Sequence, residues 1–308
     1  MIENVAAVGL PVDEVLHVKK MRVTPEGTDC GKRISIVTGT HGDELEGQYV
    51  CYEIMRRIRE QKELLTGTVD IYPALNPLGI DSLTRGIPAF DLDMNRVFPG
   101  AKDGSMTEYV ASEIVEDLKG SDVCIDIHAS NIFLTEMPQA RININTSEKL
   151  VPLAKLLNLD FIWVHQASTV LESTLAHSMN SRGVPTIVVE MGVGMRITKL
   201  YGERLTDGIF HLMEHMGIWQ GKTEITRTPV VSEDGKVSFL NASISGIFIK
   251  GNEHGTKVKC GEYIGSIVNP LTGEELEHIV SPVDGLLFTI REYPVVDEGS
   301  LVARILEE

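Results

Sequence analysis

The apolar positions of this chain follow two regimes. Up to about residue 220 they form short, nearly continuous runs that alternate with longer amphipathic stretches, and beyond it they form brief runs cut by turns. In the first regime the pattern predicts strands at 34–38, 69–73, 123–127, 161–164 and 185–189. Helices are predicted between them at about 44–62, 105–119, 147–157 and 171–182. Residues 1–33 carry the turn signal Thr24-Pro25-Glu26-Gly27 and read as an edge hairpin. Strands that are apolar at nearly every position suit a sheet covered on both faces. Their alternation with helices predicts an α/β fold, a mixed and mostly parallel sheet flanked by helices, with ligands outside the strands' carboxyl ends. His41, His128 and Glu190 all stand at such ends.

The second regime predicts an all-β accessory domain at 221–308, beside an α/β catalytic domain at 1–220. Two of its segments resemble each other. Gly246-Ile247-Phe248-Ile249 with Val258 to Ile264 parallels Gly285-Leu286-Leu287-Phe288 with Val296 to Val302, about 38–39 residues later. The pair resembles the pseudo-symmetric barrel of biotinyl and lipoyl carrier domains. Such carriers present a lysine between the two halves, and the stretch from Ile267 to Val283 contains none, so a swinging-arm carrier is not expected.

Composition narrows the class without naming the chemistry. At 308 residues, with 43% apolar and 23% charged residues, the chain has an ordinary globular composition. A net charge of −16 argues against nucleic acid or an anionic membrane as partner. With no basic and apolar leader and no bilayer-length apolar run, a cytoplasmic protein is expected. Cys30, Cys51, Cys124 and Cys260 form no CxxC and read as free, buried thiols.

The candidate chemistry gathers around Gly39-Thr40-His41-Gly42-Asp43-Glu44-Leu45-Glu46-Gly47, directly after the strand at 34–38. His41 and Glu44 stand three apart, so at the first turn of a helix both face one point, which is metal-ligand spacing. Alone, His-x-x-Glu is common by chance. A third ligand is needed, and Asp126-Ile127-His128 offers His128 at the end of another strand. Glu190 closes the apolar run Val188-Val189 and suits a general base. Between these lies a long loop with Arg85 and with Asp93-Met94-Asn95-Arg96. Arg96 can grip a carboxylate, Asn95 can add hydrogen bonds, and Arg85 can sit against an oxyanion. Asp126 reads equally well as a buried acid with no part in the chemistry. His165, His211, His215 and His254 read as surface or satisfied core histidines, and Met191 and Met195 as core filling.

Taken in order, His41-Gly42-Asp43-Glu44, Asp93 to Gly100, Asp126-Ile127-His128 and Glu190-Met191-Gly192 resemble the motifs of the succinylglutamate desuccinylase/aspartoacylase family, itself related to the zinc carboxypeptidases. The resemblance covers about residues 30–195. It implies a zinc-carboxypeptidase-like fold and one Zn2+ per chain, held by His41, Glu44 and His128. Glu190 then matches the carboxylate that activates water and shuttles its proton. Arg85 matches the arginine that polarises the scissile carbonyl, Asn95 and Arg96 the pair that receives a substrate carboxylate, and Asp93 the acid that orients a zinc histidine. Tyr293 is the candidate for a tyrosine that closes such sites from the second domain. Arg141 and His177 are further basic groups that the motifs do not reach.

The resulting expectation is a zinc-dependent deacylase acting on a small N-acyl amino acid or related amide. Its rivals are a metallocarboxypeptidase acting on peptides and an inactive binding module of the same fold. Exposed strands in the tail allow a homo-oligomer.

Overall fold

A computed structural model describes residues 1–88, 90–166, 172–232 and 236–308. In chain order it begins with β1 (Ile2–Gly9), β2 (Val15–Val23), β3 (Arg33–Thr38), α1 (Glu46–Glu60), β4 (Thr68–Tyr72), α2 (Pro77–Ser82) and α3 (Met106–Leu118). There follow β5 (Val123–Ala129), β6 (Leu134–Asn143), α4 (Ser147–Ala154), β7 (Phe161–His165), α5 (Leu175–Asn180), β8 (Thr186–Gly192) and α6 (Lys199–Met216).

One large sheet carries these strands in the order β1-β2-β4-β3-β5-β8-β6, with β7 beside β6. The four central strands, β4, β3, β5 and β8, run parallel, as do β6 and β7. The hairpin β1-β2 joins β4 antiparallel, and β6 joins β8 antiparallel, so the sheet is mixed. Side chains alternate faces along each strand and feed two layers. Ile34, Ile36, Ile125, Ile127 and Ile187 pack with α1, α4 and α6 on one face. Val37, Tyr72 and Cys124 pack with α3 and α5 on the other. Burying each such Ile contributes about 2 kcal/mol of transfer free energy, which makes the central strands the rigid base of the fold. Helix α3 starts on a complete capping box between Ser105 and Glu108.

Residues 221–308 contain only strands and turns among the described residues. They supply β9 (Val230–Ser232), β10 (Val237–Asn241), β11 (Gly246–Lys250), β12 (Thr256–Val258), β13 (Tyr263–Asn269), β14 (Glu274–Val280), β15 (Gly285–Arg291), β16 (Val295–Val296) and β17 (Leu301–Glu307). The two similar segments form reciprocal units. β11 pairs with β13 and β15 with β17, while β12 crosses to β15 and β16 crosses to β11. The tail is also continuous with the rest of the molecule. β15 pairs antiparallel with β6, so β15, β17 and β10 extend the large sheet, and β9 pairs with β7.

Several expectations shift. α1 begins at Glu46, so His41 and Glu44 occupy the turn before the helix, not its first turn. The turn is tight because Gly39 holds φ +68° and because Gly42 abuts Gly79, where a Cβ would lie 2.0 Å from a backbone carbon. The predicted helix at 171–182 shrinks to α5, and Leu171 lies outside the described residues. The loop after β4 holds α2, started by Pro77 and capped by the Asn76 side chain. β6 has no counterpart among the predicted strands. Of the four free cysteines Cys51 and Cys124 are buried, but Cys30 and Cys260 are exposed. Met195 is 41% exposed at φ +59° and so is not core filling. No helix among the described residues is long and apolar enough to cross a membrane.

Candidate metal and hydrolytic site

At the carboxyl ends of β3 and β5 the fold brings His41, Glu44 and His128 together, all three buried, with donor atoms within 4.8 Å of one another. The two imidazoles turn the same nitrogen inward. His128 Nδ1 lies 2.9 Å from Glu44 Oε2. His41 Nδ1 lies 2.7 Å from Glu44 Oε1 but is not aligned for a hydrogen bond, leaving a buried polar atom without a partner. Two imidazoles and a carboxylate converging on one point are the donor set of a catalytic zinc centre, and an unpartnered Nδ1 aimed at that point fits a metal ligand.

Behind each imidazole stands a carboxylate. Asp93 Oδ1 lies 3.0 Å from His41 Nε2, and Asp126 Oδ1 lies 3.2 Å from His128 Nε2. The Asp93–His41 contact is a hydrogen bond of the kind that fixes the tautomer and orientation of a ligating histidine, whereas Asp126 and His128 are close but not aligned for one. Asp126, fully buried on β5, occupies toward His128 the position that Asp93 occupies toward His41. Arg85 reaches Glu44 Oε1 at 2.8 Å and Asp93 Oδ2 at 3.5 Å. The charges respond accordingly. Burial works against ionisation of Glu44, yet the neighbouring imidazoles hold its carboxyl well below the usual range. Burial likewise works against protonation of His128, but Asp126 and Glu44 outweigh it and raise its pKa, and Glu44 and Asp93 do the same for His41. The same negative field favours a divalent cation between the two Nδ1 atoms.

Glu190, on β8, is the register partner of His128 on β5. Burial pushes its carboxyl up to about 7, with the Arg141 guanidinium, 3.3 Å away, pulling the other way. Arg141 belongs to a buried network. Its Nη2 donates to Glu136 at 2.7 Å, and Glu136, fully buried on β6, also accepts from Arg304 on β17 and from Gln139. Arg141 and Arg304 both lie over the Trp163 ring, 5.7 and 5.8 Å from its centroid.

One cavity of about 820 Å³ joins these parts, and His41, Glu44, Arg85, Asp93, His128 and Glu190 all line it. Asn95 and Arg96 line it as well. The Asn95 side chain accepts from Leu175 N at the start of α5, while exposed Arg96 donates to the Asn95 carbonyl. Arg141 and His177 are also in the wall. Tyr293 is not. It is 45% exposed and packs edge-on against Phe133, which does line the cavity. His165, expected at the surface or in the core, lines the cavity with its buried Nδ1 unpartnered. Glu136, Glu172 and Arg304 are wall residues that motif reading passes over.

The model of the succinylglutamate desuccinylase/aspartoacylase catalytic domain matches residues 30–216. The chain belongs to this family. It is 24% identical over 290 residues, 90% of this chain and 82% of the relative, to the N-alpha-acetyl-L-2,4-diaminobutyric acid deacetylase of Halomonas elongata. Two solved family folds superpose over nearly the whole chain. One is the product-bound ectoine utilization protein of Ruegeria pomeroyi, with TM-score 0.83 and 20% identity over 98% of this chain and 93% of that one. The other is a succinylglutamate desuccinylase/aspartoacylase of Rhodobacter sphaeroides, with TM-score 0.82 and 23% identity over 100% and 94%. For this family member the match extends the fold through the all-β tail.

Proposed function

We propose that this family member is a zinc-dependent deacylase that cleaves the amide bond of a small N-acyl amino acid or related acylated amine. The observation that carries the reading is the convergence of His41, Glu44 and His128 within 4.8 Å, in one cavity with Glu190. The family and the named deacetylase relative favour an amide as substrate.

His41, Glu44 and His128 would hold one Zn2+, with Asp93 hydrogen-bonded to the His41 imidazole and Asp126 standing behind that of His128. The ion, when bound, supplies a Lewis acid that polarises the amide carbonyl and makes water acidic near neutral pH. Glu190 takes the proton of the attacking water and hands it to the leaving nitrogen. A carboxyl raised to about 7 is suited to both transfers, since near neutral pH it can both accept and donate a proton. Arg85 shares the negative charge that develops on the carbonyl oxygen. Asn95 and Arg96 receive the substrate carboxylate and so aim the amide at the reacting groups, which is catalysis by positioning. The cavity of about 820 Å³ and its wall from the tail strand β17 favour a small substrate over a peptide chain.

The test is a panel of N-acyl amino acids and C-terminally free peptides given to zinc-loaded protein, with the released acid and amine measured. Release of a carboxylic acid from acyl amino acids supports the reading, and release of C-terminal residues from peptides alone replaces it with a carboxypeptidase.

A further inference from the structure

The proposed reaction needs the Glu190 carboxylate aimed at the metal end of the cavity, yet its ion-pair partner among the described residues is not in the turn that carries His41 and Glu44. It is Arg141, whose Nη1 lies 3.3 Å from Glu190 Oε1. The two side chains meet diagonally across adjacent strands. Glu190 on β8 stands opposite Gln139 on β6 and Val188 opposite Arg141, so the antiparallel register puts both charged groups on the face that lines the cavity.

Arg141 is itself held in place. Its Nη2 donates to both oxygens of Glu136, at 2.9 and 2.7 Å, and its guanidinium lies over the Trp163 ring, which leaves Nη1 for Glu190. Glu136 is a fully buried acid that the proposed reaction does not use. It also accepts from Gln139, from Thr289 on β15 and from Arg304 on β17, so the tail supplies two of its partners. An unpaired carboxylate away from water is costly, and it claims whatever cation is in reach. With Arg304 in place, two guanidiniums serve two carboxylates. Without it, Glu136 and Glu190 compete for Arg141, and Glu136, with its side chain 1% exposed, draws it away from Glu190, at 15%.

We infer that Arg141 is a positioning residue that aims the Glu190 carboxylate, and that Arg304, carried by the tail, keeps it in that role by sharing the charge of Glu136. The inference rests on the deacylase reading for what Glu190 does, but the division of Arg141 between the two carboxylates is readable without turnover.

The kinetic experiment uses zinc-loaded protein and the best substrate of the N-acyl amino acid panel. Arg141→Met lowers kcat about 100-fold, with KM within about threefold of native and stoichiometric zinc retained, and Arg141→Lys recovers about tenfold of that loss. Arg304→Met lowers kcat about tenfold. Adding Glu136→Gln to Arg304→Met removes the competing charge, so the double variant recovers most of that loss, whereas two merely structural residues would lose together. Native kcat in Arg141→Met, whether KM rises or not, or a double variant slower than Arg304→Met, overturns the inference.

The experiment without turnover follows the Arg141 Nη resonances in zinc-loaded protein made with isotope-labelled arginine, assigned by their loss in Arg141→Lys. Glu190→Gln moves these resonances in the native background, and by less than about half as much in Arg304→Met, where Arg141 has gone over to Glu136. Equal movement in both backgrounds overturns the inference. If the movement is unequal and no acyl amino acid is hydrolysed, the deacylase reading falls alone.

Discussion

His128 and Glu190 are register partners on adjacent parallel strands, so the third candidate metal ligand and the candidate base share one face of one rigid sheet. Glu190 does not itself approach His41 or Glu44 in the ion-pair contacts of the site, where its partner is Arg141. Replacing it should therefore leave the metal in place. Glu190→Gln is expected to bind stoichiometric zinc, measured by atomic emission, while turnover falls by a factor on the order of a thousand. Near-normal turnover in that variant would remove Glu190 from the mechanism.

The same carboxyl sets a pH dependence. As a base it must be ionised, and burial holds it near 7, above the ordinary carboxylate value of 4.5. The value of kcat/KM should rise with pH through about 7 and level off above it, a limb that Glu190→Gln abolishes along with the activity. Stability runs the other way. The folded protein holds a proton between 4.5 and about 7 that the unfolded chain has released, so the stability linked to it is fully present below 4.5 and is lost as pH rises through 7. The neutral Gln variant should thus gain about 1–3 kcal/mol over the native protein at pH 8 and almost nothing at pH 4, measured as urea midpoints. A gain of equal size at both pH values would contradict the linkage.

His128→Ala removes a donor from the set of three and should abolish stoichiometric zinc binding. Asp126→Asn and Asp93→Asn leave the donors in place and remove the carboxylates behind them. Each should weaken zinc about 10- to 100-fold in a competition titration with a chelator. Unchanged affinity in Asp126→Asn would return that residue to a packing role.

Gly42→Ala probes the turn that presents His41 and Glu44. Its Cβ would stand 2.0 Å from the Gly79 carbonyl carbon and 2.3 Å from its oxygen, both backbone atoms. The expected cost is about 2–4 kcal/mol, with metal affinity falling as the turn is pushed from α2. Gly27→Ala, where nothing lies within 4 Å, is the control and should be close to neutral. Urea unfolding of the two variants makes the comparison.

The residues legible from sequence are those whose role is local. His41, His128 and Glu190 end apolar strands, and β3, β5 and β8 form where nearly continuous, Ile- and Val-rich runs demand burial on both faces. β6 was not legible for the opposite reason. Its run Leu134–Asn143 includes Pro138 and places Glu136, Gln139 and Arg141 on a buried strand, a pattern that reads as a loop. Those polar residues are tolerated inside because Arg304, 168 residues beyond Glu136, completes their network, and no local window contains both partners. The place of His165 in the cavity wall is non-local in the same way, since it follows from β7 pairing with β6. Helix α1 starts only at Glu46, after a turn whose close contact of Gly42 with Gly79 belongs to the tertiary packing and not to the spacing of His41 and Glu44.

The bond between Glu136 and Arg304 has a consequence for how the cavity comes into being. During synthesis the ribosome delivers β3, β5 and β8 long before β17, so the ligand turn and the strand bearing Glu190 can assemble while Glu136 still shares one arginine with Glu190. Only when β17 docks does Glu136 gain its second arginine, beside the pairing of β15 with the edge of β6. The candidate chamber is thus finished from the far end of the chain, and a polypeptide stalled before β17 would present the candidate ligand turn without Arg304 in the wall.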